Sequence, residues 1–175
     1  MSRRLFAPLV AVALLGGAFA TLSTSPAANA QVKRKPKLGK LCPDPNAECK
    51  TAARFEPYDM PFEIPEDGGI FESEPFYAVV LRSFKAPDGD EKQIIPESER
   101  LKVQDMFPDR KVFASRAALE PGSVIYVDVP YNVRFLAIYG GKTQAEANGV
   151  LAQVKSAGKY TGAYTKKMQV SFNGT

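Results

Sequence analysis

Four groups of residues in this chain have types and spacings that could do chemistry. Cys42 and Cys49, the two cysteines of the sequence, stand at the ends of Cys42-Pro43-Asp44-Pro45-Asn46-Ala47-Glu48-Cys49. The spacing is too long for a redox pair, and two thiolates alone leave a metal short of ligands. In an exported chain the turn-rich segment therefore predicts a local disulfide. Gly140-Gly141-Lys142-Thr143 resembles the end of a phosphate-binding loop. That pattern requires a further glycine where Leu136 stands in mid-strand, so nucleotide binding is not expected. The acidic residues between Phe55 and Pro75 would serve as a recognition strip, or as the carboxylate pair of a glycosidase if a rigid cleft separated them. Histidine is absent from the sequence, which removes the commonest general base and the commonest metal ligand. Carboxylates, lysines and tyrosines are left to do proton transfer or attack, so the expectation is a protein that is not an enzyme and holds no metal or cofactor.

The fourth group is a candidate binding surface. Alternation along strands sends successive side chains to opposite faces. With Leu136 and Ile138 taken as core, Phe135, Ala137 and Tyr139 face outward, and with Tyr77, Val79 and Leu81 as core, so do Val80 and Arg82. In the last strand Met168, Val170 and Phe172 share one side, while Lys167, Gln169 and Ser171 share the other. An aromatic pair beside cationic and amide groups suits a sugar polymer: rings lie against C–H surfaces while polar donors take hydroxyls, acetamido groups and carboxylates. The competing expectation is an ordinary sheet face covered by the chain itself, with Phe135 and Tyr139 packed against Phe62 or Phe71.

Positioning these residues requires two similar units. Strand Tyr77–Phe84, helix Glu97–Phe107 and strand Lys111–Ser115 are followed by strand Val133–Tyr139, helix Thr143–Ala157 and strand Lys166–Phe172, with Val124–Val129 as an added strand or bridging turn. In the second helix Ala147, Val150, Leu151, Val154 and Ala157 recur at helical steps. Thr143 with Glu146 forms a capping box, and Gly158 ends the last turn. In the first helix Leu101, Val103, Met106 and Phe107 supply the apolar side, and Pro96 is tolerated at its start. Two strand-helix-strand units with both helices on one face predict an α+β fold of the ferredoxin-like, split βαβ kind: a four-stranded antiparallel sheet whose far face is open.

The second half resembles the SPOR domains of the bacterial cell envelope. The residues that carry the resemblance are Lys142-Thr143-Gln144-Ala145-Glu146-Ala147, then Leu151, Val154-Lys155 and Gly158. Tyr77-Ala78-Val79-Val80-Leu81-Arg82-Ser83-Phe84 is similar to the opening strand of that family, with Val80 and Arg82 where the family usually carries Gln and Gly. The resemblance implies noncatalytic binding of peptidoglycan glycan strands, preferably denuded of stem peptides, on the sheet face opposite the helices. Val80, Arg82, Phe135, Tyr139, Lys167, Gln169 and Ser171 would then form the glycan-binding site.

The rest of the chain sets the location. Arg3 and Arg4, an apolar run from Leu5 to Ala20 and the small residues of Ala28-Asn29-Ala30 read as a signal peptide over 1–30, cleaved near Ala30 by the general secretory or the twin-arginine route. The run is shorter than the ~20 residues of a spanning helix, so no membrane span is expected after cleavage, and the location is periplasmic or secreted. Residues 31–75 form a basic, disulfide-stapled, proline-rich arm, and 76–175 the globular domain. The charge balance is +5 from Gln31 to Arg54, −9 from Phe55 to Glu99 and +6 from Arg100 to Thr175. The basic tail is a solvated linker or a contact for anionic envelope polymers. With no aromatic residue interleaved, nucleic acid is not an expected partner. The prolines from Phe55 to Pro75 exclude a helix, and the apolar residues among them predict an extended arm laid on the domain. Asn173-Gly174-Thr175 matches a glycosylation sequon at the extreme C-terminus. The expected partners are peptidoglycan strands or, as the alternative, an envelope protein.

Overall fold

The computed structural model describes residues 37–64, 69–87, 92–116 and 122–174. The expected signal peptide, its expected cleavage site and residues 31–36 of the basic tail lie outside the described residues. The elements are β1 (Ile70–Glu72), β2 (Phe76–Lys85), α1 (Glu97–Met106), β3 (Val112–Ala114), β4 (Val124–Tyr126), β5 (Val133–Gly141), α2 (Gln144–Ser156), β6 (Tyr164–Met168) and β7 (Val170–Asn173).

Among the described residues the fold is α+β, with two helices and two antiparallel sheets. One sheet has the order β3-β5-β2-β6 and the other β1-β7-β4. The expectation of a single four-stranded sheet is thus corrected. The run Lys166–Phe172, expected as one strand, breaks at Gln169: β6 pairs with β2, placing Met168 opposite Phe76, while β7 places Phe172 between Phe71 and Val124. The break is anchored. The Gln169 amide donates to the Ser73 carbonyl at 2.9 Å and to Glu72 Oε2 at 3.1 Å, and the Gln169 carbonyl accepts from Val127 N at 2.9 Å.

Local sequence explains α2. The Thr143 hydroxyl accepts the Glu146 N–H at 3.3 Å, and the Glu146 carboxylate accepts the Thr143 N–H at 2.8 Å, a complete capping box. Ala147, Val150 and Val154 are the buried stripe, and α2 packs on β5, β2 and β6. The Gly-Gly pair before it has a packing role. A Cβ on Gly140 would stand 2.7 Å from the Ala147 Cβ and 2.9 Å from the Tyr77 carbonyl oxygen, and Gly141 has φ +134°. The strand meets the helix closely enough to require glycine at the first position, and the backbone requires it at the second.

The buried stripe of α1 differs from the expected one. Leu101 and Met106 are 47% and 42% exposed, whereas Arg100 and Val103 are buried and Phe107 packs partly on the core. Arg100, Val103 and Phe107 are the residues in register on one face. The Arg100 stem fills a core position while its guanidinium donates to the Val112 carbonyl at 3.1 Å and to Glu97 at 2.6 Å.

Both helices contribute to one core: Val103, Val150 and Val154 join Val79, Leu81, Val112, Leu136 and Ile138. A second core lies on the other face of the four-stranded sheet. There Ala78, Val80, Phe113, Phe135, Ala137 and Tyr139 meet Val124, Tyr126, Val170 and Phe172 of the second sheet, together with Leu41, Met60, Phe62 and Ile64 of the arm. The described residues of the arm, from Lys37 on, belong to the same compact unit as the two sheets and helices. The arm also wraps β3, the short edge strand. Ala114 N donates to the Tyr58 carbonyl at 2.9 Å, and Lys111 N to the Pro43 carbonyl at 2.9 Å, covering groups that an edge would otherwise expose. Tyr58 packs on the helix-side core and Met60 on the opposite one, so the chain crosses the sheet edge between them. Cys42 and Cys49 form the disulfide that staples the start of this arm.

Candidate functional site

The sheet face expected to be open is sealed. Val80, Phe135 and Tyr139 are 1%, 2% and 8% exposed, and Phe135 packs edge-on against Tyr126 at 5.0 Å and Phe113 at 5.9 Å. Tyr139 stacks on Phe76 at 5.8 Å. Burial pushes the Tyr139 hydroxyl pKa up, with the nearby Lys142 opposing the shift. The aromatic pair that suited a sugar is therefore core. Its partners include Phe76 and Phe113 of its own sheet and Tyr126 of the covering one, while Phe55 fills the space between Phe62 and Phe172.

The remaining residues of the expected site are not brought together on that face. Lys167 is exposed on β6, and Ser171 lies partly exposed on β7 between Glu72 and Ile125 of the neighbouring strands. Gln169 is committed to the break between the sheets. Arg82 lies on the opposite side of the sheet. Val80 pairs with Ala137 but Arg82 with Leu136, so Leu81 is the extra residue of a β-bulge. One inserted residue reverses the alternation beyond it. Arg82 consequently reaches α1, where its guanidinium pairs with Glu99 at 3.4 Å and lies 5.5 Å from the Phe84 ring centroid.

On that helix-bearing side Arg82 lines a cleft of about 620 Å³. Its floor is β2 (Leu81, Arg82), one wall is the start of α1 (Pro96, Ser98, Glu99, Lys102), and the other is the turn after α2 (Lys159, Tyr160, Thr161, Gly162). The cleft arises because α1 packs on β3 whereas α2 packs on β5, β2 and β6, and the polar first turn of α1 brings little to close the gap. Pro96 is the N-cap of α1 and makes no side-chain cap. The Lys159 ammonium lies 5.4 Å from the Tyr160 ring centroid, and the buried Tyr160 hydroxyl has no hydrogen-bond partner among the described residues. Arg82 was singled out from the sequence, for a different face. The others were missed, although Gly158-Lys159-Tyr160-Thr161-Gly162, a cation and an aromatic framed by glycines, is a readable turn signal.

A second cluster of titratable groups lies where the arm crosses β3. Burial raises the Asp59 carboxyl to about 6 and lowers the Lys111 amine to about 8. Such displacement toward neutrality marks many active sites. Here both groups serve the arm. Asp59 Oδ2 accepts the Glu56 N–H at 3.0 Å, Lys111 donates to the Pro57 carbonyl at 2.6 Å, and the Arg116 guanidinium stacks on Tyr58 at 3.5 Å and donates to its hydroxyl. Lys142 of the Gly-Gly-Lys-Thr segment pairs with Glu74 at 3.0 Å, which raises its pKa. Among the described residues no group of three or more potential metal ligands occurs, and no helix is long and apolar enough to cross a membrane. No family model, no curated protein and no solved structure matches the chain.

Proposed function

We propose that this chain is an exported, noncatalytic binding module of the bacterial cell envelope, and that it holds wall glycan in the cleft between α1 and the turn after α2. The observation that carries this reading is the cleft itself: three cations, two hydroxyls and an aromatic edge around a groove large enough for a short saccharide. The order strand-helix-strand, repeated, with the ladder β3-β5-β2-β6, suits a ferredoxin-like split βαβ plan of the SPOR kind to which a second sheet has been added. The disulfide suits an oxidising compartment such as the periplasm. In this reading the glycan contact has moved from the sheet face, which the chain fills with its own side chains, to the other side of the domain.

Sedimentation of the mature chain with purified sacculi tests the reading. Retention is expected, and the Lys102→Gln/Lys159→Gln double variant should lose most of it while keeping its folded circular-dichroism spectrum. Retention that never exceeds a salt-sensitive background rejects it. A protein partner is the second reading, favoured by the exposure of Leu101 and Met106 on α1. One stoichiometric partner in a periplasmic pull-down, lost on Leu101→Ser/Met106→Ser, would support it instead.

A further inference from the structure

The charges in and beside the cleft are unevenly satisfied. Glu97, at the start of α1, is held by the Arg100 guanidinium at 2.6 Å, and Glu99 is held by Arg82 at 3.4 Å. Both carboxylates of the first turn thus have arginine partners. Lys102 on one wall and Lys159 on the other form no ion pair among the described residues, and Glu99, the carboxylate of the lining, is engaged by Arg82, so the lining carries two ammonium groups in excess. No side chain caps the start of α1, and although the Glu99 N–H is taken by the Pro96 carbonyl at 2.9 Å, the positive end of the helix favours an anion nearby. The Tyr160 hydroxyl, unpartnered among the described residues, is closed off from the cleft, and only the rest of that side chain lines the wall.

Resting on the cleft as the contact surface, we propose that it is an oxyanion site that takes a saccharide bearing a carboxylate. The carboxylate lies between Lys102 and Lys159 near the first turn of α1, with Ser98 and Thr161 beside it for the ring hydroxyls and Leu81 and Pro96 as the apolar bed. Glu99 opposes such a ligand by like charge, while the two unpaired ammonium groups favour it over neutral sugars by charge more than by shape.

Amide chemical-shift titration of the mature chain with tetragalacturonate, chitotetraose and inorganic phosphate tests this. Tetragalacturonate should shift Ser98, Lys102 and Lys159 to Gly162, chitotetraose should leave them unmoved, and phosphate should shift the same amides at concentrations at least tenfold higher. Lys102→Gln/Lys159→Gln should weaken tetragalacturonate tenfold or more, and Glu99→Gln should tighten it several-fold, a change of opposite sign that loss of folding cannot imitate. Equal response to chitotetraose, shifts outside the cleft, or indifference to these variants would overturn the proposal. Retention on sacculi without tetragalacturonate binding rejects the carboxylate site alone. Tetragalacturonate binding without retention rejects the wall-glycan reading and keeps the site.

Discussion

The Tyr126 hydroxyl accepts the backbone N–H of Met60 at 3.3 Å, joining the second sheet to the proline-rich arm inside the core. Tyr126 is itself stacked on Phe113 at 5.5 Å, and burial drives its pKa well above the ordinary tyrosine range. Leu41, Met60, Phe62 and Ile64 are all buried here, each contributing about 1.5–3 kcal/mol. Together they rival the ~5–15 kcal/mol of a whole domain, so the arm does not lift to expose the sheet. Phe62→Ala should cost about 3–5 kcal/mol in urea unfolding. Tyr126→Phe, which strips the Met60 N–H of its acceptor, should cost about 1–2 kcal/mol. A truncation of the arm that left stability unchanged would contradict this packing.

The disulfide closes a short loop that also braces the turn before β3. Cys42 N donates to the Pro61 carbonyl at 3.0 Å, and Asn46 Nδ2 to the Pro108 carbonyl at 3.2 Å. Cys42→Ser/Cys49→Ser should lower stability by about 2–3 kcal/mol, the loop-closure entropy returned to the unfolded chain. The domain should remain folded, because its two cores do not depend on the link. Unfolding of the double variant at neutral pH and room temperature would show that the staple founds the core.

Asp59 makes stability depend on pH in a direction opposite to most carboxylates. Desolvation raises its folded pKa to about 6 from 3.8, against the pull of the Glu56 N–H, Arg116 and Lys111 and with the Glu56 carboxylate adding to the rise. The folded state therefore binds the proton more tightly than the unfolded one. This contribution is fully present below pH ~4 and is lost as pH rises to ~6. Asp59→Asn keeps an acceptor for the Glu56 N–H and removes the buried charge. It should raise stability at pH 7 by roughly 1–3 kcal/mol, with the gain vanishing toward pH 4. Urea midpoints of the two proteins from pH 4 to 7.5 measure the difference. Parallel curves would show that Asp59 is not the group responsible.

Gly140→Ala should destabilise by about 1–3 kcal/mol through overpacking against α2. Adding Ala147→Gly removes the 2.7 Å clash but not the 2.9 Å approach to the Tyr77 carbonyl oxygen, so rescue should be partial. Thr143→Ala should cost about 1 kcal/mol by undoing the capping box. Thermal or urea unfolding checks all three. A neutral Gly140→Ala would mean that the strand-helix approach is looser than described.

The amino-acid sequence by itself determined what local interactions decide. Thr143 and Glu146 name the start of α2, Ala147, Val150 and Val154 its buried face, and Cys42 and Cys49 their own link. Alternation along β5 separated Leu136 and Ile138 from Phe135, Ala137 and Tyr139 correctly, and the two groups do belong to different cores. Period-two alternation tells which side chains share a face, and an outward-facing aromatic looks the same in sequence whether water or another sheet lies beyond it. The covering sheet was hard to read because β1 and β4 are three residues long and β7 continues the pattern of β6 without a sign of the turn at Gln169. Likewise nothing in Val80-Leu81-Arg82 marks the bulge that carries Arg82 to the helix side. Only tertiary packing decided these, because closing the second face and placing the cleft depend on contacts between segments as far apart as Phe62 and Phe172, whose association is set by the area they bury together and not by any local preference.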